Sequence, residues 1–485
     1  MKIAIVASEM VPFAKTGGLA DVVGALPKYL PGADTECCCF IPFYKKIRRD
    51  AYGITDTGLR IEVPLDSAKK TAGVFRAMLP GTKVPVYLID NEEFFGRDEL
   101  YGTPAGDYPD NSARFIFFSR AVLEAAHKLN IKPDVFHVHD WQAALIPVYL
   151  KTLYANRFGK PAVVLTIHNL AYQGVFWHWD MKLTGLGWDL FNWRQLEFYG
   201  KLNFLKAGIV FSDVINTVSP TYAREIQTPE YGSGLEEVLR YRSASLHGII
   251  NGIDYDVWDP KTDPLIHCKY GTNSLNNKGR NKAELQRMLG LPGEKKVPVI
   301  GMISRLAAQK GLDIISGAMD ELVKRDVQLV FLGTGEQQYH DMLADFQRKF
   351  PSKVSVSVKF DNALAHLIEA GSDMFLMPSR YEPCGLNQLY SLKYGTVPIV
   401  RHTGGLADSV IDATHHSIEE AKGTGFVFSE YSSKALLATV DRALVSYGNR
   451  TTWRRIMESG MQQDWSWANS AKEYLKLFEQ AKGGK

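Results

Sequence analysis

Arg305 and Lys310 stand five positions apart just after an apolar run, where both can reach one diphosphate. A guanidinium suits two oxygens at once, and an ammonium acts as a point charge. The hexapeptide Thr-Gly-Gly-Leu-Ala-Asp occurs twice, at residues 16–21 and 403–408, each time a short way past an expected strand and ahead of an expected helix. Paired glycines there let backbone N–H groups approach an anion, and a helix N-terminus adds partial positive charge. Ordinary strand-to-helix turns also use glycine, but two copies suggest one ligand gripped from two sides. Neither copy is the dinucleotide fingerprint. The nearest match, Gly333-Thr334-Gly335, has Gln338 where the third glycine belongs, which counts against an NAD enzyme.

Three patterns hint at metal and fall short of it. Asp254-Tyr255-Asp256 matches the Asp-x-Asp of metal-dependent sugar-nucleotide enzymes but sits in a stretch rich in turn formers, and it reads as structural. His137 and His139 share one face of a strand, yet Trp141 and Gln142 stand where a His-x-His-x-Asp-His site needs Asp and His. Cys37, Cys38 and Cys39 are consecutive, and on a strand neighbouring thiols point to opposite faces, so they cannot converge on one ion. No metal and no cofactor is expected.

The elements that must position these residues read as alternating strands and helices. Expected strands cover residues 2–7, 134–138 ending at His139, and 161–167 running into His168 and Asn169; helical spacing joins Phe118, Val122, Ala125 and Leu129 over residues 113–129. A second series covers residues 297–304, 327–332, 354–358, 374–377 and 397–400. Two such arrays predict an α/β protein of two Rossmann-like domains with ligands outside the carboxyl ends of the strands. The turn-rich residues 248–260 are the expected hinge. This divides the chain into 1–247, 248–460 and a terminal stretch, 461–485, whose helix over residues 461–477 should return to the first domain.

A chain of 485 residues is long enough for two or three cores. A net charge of +3 without a dense basic block makes nucleic acid an improbable partner. The opening MKIAIVASEM is too short in its apolar run for a secretory segment, and no stretch approaches the length that spans a bilayer. Five cysteines without framework spacing fit a reducing compartment. A soluble, cytoplasmic protein is expected, with no membrane partner.

The chain resembles bacterial glycogen synthases and plant starch synthases. The resemblance rests on Lys15-Thr16-Gly17-Gly18-Leu19 with Asp21, His137-Val138-His139-Asp140-Trp141, Thr166-Ile167-His168-Asn169 with Tyr172-Gln173-Gly174, and Ile250-Asn251-Gly252-Ile253-Asp254. It continues through Ser304-Arg305-Leu306 with Gln309-Lys310-Gly311, Ser379-Arg380-Tyr381-Glu382-Pro383-Cys384-Gly385-Leu386, and the second glycine pair, in order from about residue 1 to about residue 480.

The resemblance implies a GT-B glycosyltransferase, two Rossmann-like domains facing across a deep cleft, with the first on the acceptor side and the second on the donor side. It implies an ADP-glucose:1,4-α-D-glucan 4-α-D-glucosyltransferase, which adds glucose with retention to the non-reducing end of glycogen or a maltooligosaccharide. His139, Glu382, Arg305 and Lys310 would be catalytic. Lys15, Gly17, Gly18, Asp21, Cys384, Gly385, Leu386, Thr403, Gly404 and Gly405 would bind the donor. Asp110, Asn111, His168, Asn169, Tyr172 and Gln173 would bind the sugar or acceptor. His139 would hold the 6-hydroxyl and the developing sugar cation, with Glu382 on the far side of the same sugar. With no clear carboxylate pair for a covalent intermediate, the implied route is front-face: the leaving phosphate takes the acceptor's proton. Tyr390 stands where the broader class often has a second glutamate, so the resemblance does not extend to a ribose-binding carboxylate at that position.

The motifs do not read the base of the nucleotide, so UDP-glucose or another acceptor is the alternative within transferases. A nucleotide-sugar epimerase on the same fold would isomerise sugar without glucan. A noncatalytic glucan binder would bind without releasing nucleotide.

Overall fold

The computed structural model describes all residues except 31, 33, 104, 105 and 485, and the chain falls into two compact units. The first comprises Met1–Ile249 and Trp467–Lys485, the second Ile250–Ser466.

The first unit is built on a nine-stranded sheet. Lys2–Val6 lies inside it, flanked by Glu36–Pro42 on one side and Val135–His139 on the other, all parallel. Ala162–Ile167, Val214–Thr217 and Leu246–Gly248 continue the parallel array beyond Val135–His139. Apart from the partly buried edge strand Leu246–Gly248, these strands are buried nearly end to end because helices cover both faces, which is why they read as continuous apolar runs. Beyond Glu36–Pro42 come Pro85–Asp90 and then the antiparallel pair Ala68–Met78 and Thr55–Leu65. Sequence reasoning found neither arm of that hairpin. Thr55–Leu65 is exposed over its first half, so no sustained alternation marks it.

Cys37, Cys38 and Cys39 are buried in Glu36–Pro42, and burial pushes the Cys37 and Cys38 thiols up to about 12. They are core residues.

The second unit carries a six-stranded, all-parallel sheet in the order Val354–Ser357, Gln328–Leu332, Val299–Ile303, Met374–Met377, Val397–Arg401, Phe426–Phe428. Its core packs Ile300, Met302, Leu329, Phe331, Leu376 and Ile399 against Leu312, Ile315, Met319 and Val440 of the covering helices.

Both sheets have a switch point, where successive strands are added on opposite sides of a central one. In the first unit it lies between Lys2–Val6 and Val135–His139, in the second between Val299–Ile303 and Met374–Met377. Loops leaving the carboxyl ends of these strands diverge and leave a crevice for ligand.

The divisions differ from 247/248 and 460/461. Ile249 N still donates to Thr217 O, 2.9 Å, extending the first unit's edge strand. Residues 463–466 run extended beside the turn-rich segment, with Ile253 N donating to Trp465 O, 2.8 Å, and Trp465 N to the Tyr255 hydroxyl, 2.8 Å. The terminal helix is therefore Trp467–Gly483, not residues 461–477. Met461 and Gln462 end the preceding helix, Arg450–Gln462. Tyr474, Leu477 and Phe478 of the terminal helix join the first unit's core, where the Asn216 amide donates to the Tyr474 hydroxyl, 3.3 Å.

Asp254 and Asp256 form a turn: Asp254 Oδ1 accepts Asp256 N, 3.0 Å. Among the described residues no group of three or more His, Cys, Asp or Glu side chains is placed to hold a metal ion, and no helix is long and apolar enough to cross a membrane.

Candidate active site

At the first switch point the loop after Lys2–Val6 is organised by Glu9, a residue sequence reasoning passed over. Glu9 is buried, and its carboxylate accepts the Thr16 and Gly17 backbone N–H groups, the Thr16 hydroxyl at 2.6 Å and the Tyr101 hydroxyl at 2.6 Å. This fixes the first Thr-Gly-Gly at the start of helix Gly18–Tyr29. Lys15 Nζ sits 2.6 Å from Asp21 Oδ1, whose carboxyl burial raises against the lowering pull of Lys15. A Cβ on Gly17 or Gly18 would meet nothing within 4 Å, and Gly17 is extended at φ −150. The protein's own packing therefore does not ask for glycine there.

Across the switch point, Val135–His139 ends in an imidazole pair. His139 Nδ1 lies 2.9 Å from His168 Nε2, and His137 Nε2 is 2.8 Å from the Thr166 hydroxyl. The pairing follows from register, since His139 is opposite Thr166 in the neighbouring strand and His168 follows it by two residues. Burial, reinforced by the charges of His137 and His168, holds His139 well below its usual 6.5, and burial alone lowers His168 to about 3. His139 is a neutral imidazole at pH 7, and its buried Nε2 has no hydrogen-bond partner in the protein. Asp140, at φ +53, accepts the His168 N–H at 2.7 Å, and burial lifts its carboxyl to about 7. The backbone turns sharply here and keeps both rings at the strand ends.

The expected acceptor residues divide. His168 and Asn169 are partly exposed beside His139, and Tyr172 is exposed. Gln173 is buried, donating to Ser233 O at 3.0 Å and accepting from Asn203 at 2.7 Å. Asp110 takes two bonds from Arg97, 2.7 and 2.5 Å. Asn111 is buried, its amide on Tyr101 O and its oxygen on Arg114. Both its amide and its oxygen are used within the protein.

At the second switch point, Lys310 follows Val299–Ile303 and Glu382 follows Met374–Met377, and the topology brings them together. Lys310 Nζ is 2.6 Å from Glu382 Oε2, which also accepts the Ser379 hydroxyl at 3.0 Å. Arg305 is exposed on the same connection. Gln309 ties the two loops, donating to Tyr381 O at 3.2 Å while its carbonyl accepts Arg380 N at 2.8 Å.

The second Thr-Gly-Gly differs from the first. Gly405 N donates to Glu382 O and Pro383 O, 3.1 and 3.2 Å, and Gly404 has φ +43. A Cβ would lie 1.9 Å from Glu382 O at Gly404 and 2.0 Å from Cys384 O at Gly405. These glycines let the Glu382 loop pack close, a steric demand that the first copy does not make. Gln388 holds the same loop through Cys384 O and Gly385 O, and Gly385 adopts φ +72, just before Leu386 caps helix Asn387–Tyr394. Cys384 is buried and its thiol pushed up to about 12 by burial, so it carries no thiolate at neutral pH. Tyr390 stacks on Trp258 at 3.9 Å, and Trp258 on His366 at 3.7 Å.

Two Rossmann-like units with candidate side chains at both switch points define a glycosyltransferase of the GT-B class. Residues 2–241 match the starch synthase catalytic domain and residues 286–458 the glycosyl transferases group 1. The chain is 49% identical over 484 residues to a glycogen synthase of Thermosipho melanesiensis, covering 99% of each. It is 50% identical over 489 residues to one of Fervidobacterium nodosum, again covering 99% of each. The catalytic domain of Arabidopsis thaliana starch synthase IV, solved bound to ADP and acarbose, superposes at TM-score 0.91 with 33% identity, covering 99% of both chains. A sucrose-phosphate synthase from Thermosynechococcus elongatus shares the fold at TM-score 0.60 and 15% identity. The chain belongs to the glycogen synthase and starch synthase family. The epimerase and noncatalytic readings find no counterpart among these relatives.

Proposed function

We propose that this protein elongates α-1,4-glucans, transferring glucose from ADP-glucose to the non-reducing end with retention. The observation that carries the reading is the Lys310–Glu382 pair, set 2.6 Å apart at a switch point by residues 72 positions apart in sequence, in a chain of this family. ADP and acarbose, bound to the plant relative, support the choice of donor base and acceptor.

Departure of the nucleoside diphosphate puts negative charge on the leaving oxygen and cationic character on the glucose. Arg305 and Lys310 offset the first. Glu382 stabilises the second, and a neutral His139 offers Nε2 to a sugar hydroxyl without adding positive charge beside a developing cation. The acceptor hydroxyl attacks from the face the phosphate leaves, and its proton passes to the leaving phosphate oxygen. Lys15, Gly17 and Gly18 contact the donor, and His168, Asn169 and Tyr172 the acceptor. Basic side chains and backbone N–H groups serve in place of a metal. Five free cysteines suit a reducing cytoplasm.

The test is incubation with ADP-glucose or UDP-glucose plus glycogen, with and without EDTA, measuring chain elongation and nucleotide release. ADP-glucose should be the better donor and EDTA should not reduce turnover. Nucleotide release without elongation would overturn the proposal, and loss of activity in EDTA restored by Mg²⁺ would overturn the phosphate assignment.

A further inference from the structure

The segment after Gln173 carries an exposed aromatic ladder that none of the roles above uses. Trp177, Trp179 and Trp188 are 63%, 44% and 45% exposed. Trp177 and Trp179 are 6.3 Å apart at 64°, Trp179 and Trp188 5.6 Å apart at 76°, and Trp188 meets Phe191 at 5.7 Å. The rings meet edge to face and remain largely in solvent instead of closing into a small core. Contiguous indole left in water is unfavourable unless something covers it.

The backbone beneath the ladder is pinned by polar groups. Asp180 Oδ2 accepts the Ser112 hydroxyl at 2.5 Å. Lys206, only 4% exposed, donates to Trp193 O and Glu197 O, 2.5 Å each. The rings are thus held in place before any partner arrives, which lowers the ordering cost of binding.

We infer that this ladder is a stacking platform for an α-glucan chain, lying outside the residues that would hold the chain end. The occupant follows from chemistry and continuity. Indole faces pack on the C–H faces of pyranose rings while the hydroxyls stay in water or meet polar neighbours, and here His178, Asp180 and Lys182 alternate with the rings. Lys182 Nζ stands 4.5 Å over the Trp179 ring and Asp180 is tied to helix Asn111–Lys128, so the surface is mixed and uncharged on balance, unlike a basic membrane-binding face. Tyr172 and Gln173 run through Gly174 directly into Val175–Phe176, and Ser112, the anchor of Asp180, follows Asp110 and Asn111. The ladder therefore follows in the chain from Tyr172, one of the proposed acceptor residues. The inference rests on the glucan-elongation reading, and its test separates the two.

The variant Trp177→Ala/Trp188→Ala, with Trp177→Ala alone as the milder form, is compared with wild type after melting temperatures are matched. Retardation in native gels containing glycogen should fall at least fivefold, and KM for glycogen should rise by a similar factor. Both kinetic constants for maltose should stay within about twofold, because so short an acceptor cannot reach beyond the chain-end residues. Unchanged glycogen retardation and KM in both variants would overturn the platform. So would a variant whose mass by light scattering halves while glycogen binding persists, since the ladder would then join two copies of the chain. Wild type retarded by glycogen yet inert in transfer, with retardation lost in the variants, would leave the platform standing and overturn elongation.

Discussion

Lys310 Nζ and Glu382 Oε2 are in contact at 2.6 Å, with Glu382 7% and Lys310 20% exposed at the side chain. An ammonium proposed for the phosphates and a carboxylate proposed for the sugar thus position one another. Lys310→Ala should lower kcat about a hundredfold, and Glu382→Gln about 10² to 10³-fold, with donor KM changing less. Because the groups touch, the double variant should lose less than the product of the single losses. Strictly multiplicative losses in a double-mutant cycle would show that the two act independently.

The two glycine hexapeptides make opposite predictions. At Gly405 a Cβ meets the Cys384 carbonyl at 2.0 Å, backbone against backbone, so Gly405→Ala should destabilise by about 1–3 kcal/mol and lower Tm clearly. At Gly18 nothing stands within 4 Å, so Gly18→Ala should leave Tm nearly unchanged while kcat/KM for the donor falls roughly tenfold or more. A Gly18→Ala enzyme with unaltered kinetics would remove the first copy from the donor site.

Much of this was legible in the sequence because local pattern and burial agree. Val299–Ile303, Gln328–Leu332 and Met374–Met377 are apolar strands covered on both faces, and runs of that kind announce themselves. The Thr55–Leu65 and Ala68–Met78 hairpin stayed hidden because its outer arm is half solvated. Glu9 went unnoticed for a different reason. A lone carboxylate at a strand end has no motif, and its importance lies in Tyr101, 92 positions away. The repeat of Thr-Gly-Gly hides one difference: only tertiary packing shows the second pair receiving the Glu382 loop.

Stability should depend on pH through the buried imidazoles. Burial lowers His137 to about 3 and also depresses His139 and His168, so the unfolded chain takes up protons at these sites first. Their contribution is complete above the unfolded value near 6.5 and is lost as pH falls below it. Asp140, raised to about 7 by burial, acts oppositely: it favours the folded state at low pH and loses that contribution as pH rises through about 7. Three depressed imidazoles against one raised carboxyl give a net fall in stability from pH 6.5 toward pH 4. His137→Gln should flatten that slope by at most about 1.4 kcal/mol per pH unit. Identical slopes in urea unfolding at pH 4.5, 5.5 and 6.5 would contradict the neutral assignment of His137.

Glu9 provides the last test, because it shapes the first glycine turn without being expected to touch the sugar. Its carboxylate accepts from Thr16 N, the Thr16 hydroxyl, Gly17 N and the Tyr101 hydroxyl, so every donor converges on an acceptor-only group. Glu9→Gln keeps the volume but turns an NH₂ toward one or more of those donors, which releases the turn. If the turn presents backbone N–H groups to the donor diphosphate, kcat/KM for ADP-glucose should fall roughly tenfold or more, while glycogen binding measured without nucleotide stays the same. A purely structural role would instead lower Tm and leave the kinetics of the folded fraction intact. Measuring both on one preparation distinguishes them, and a Glu9→Gln enzyme that melts early yet retains wild-type kcat/KM would assign Glu9 to the scaffold alone.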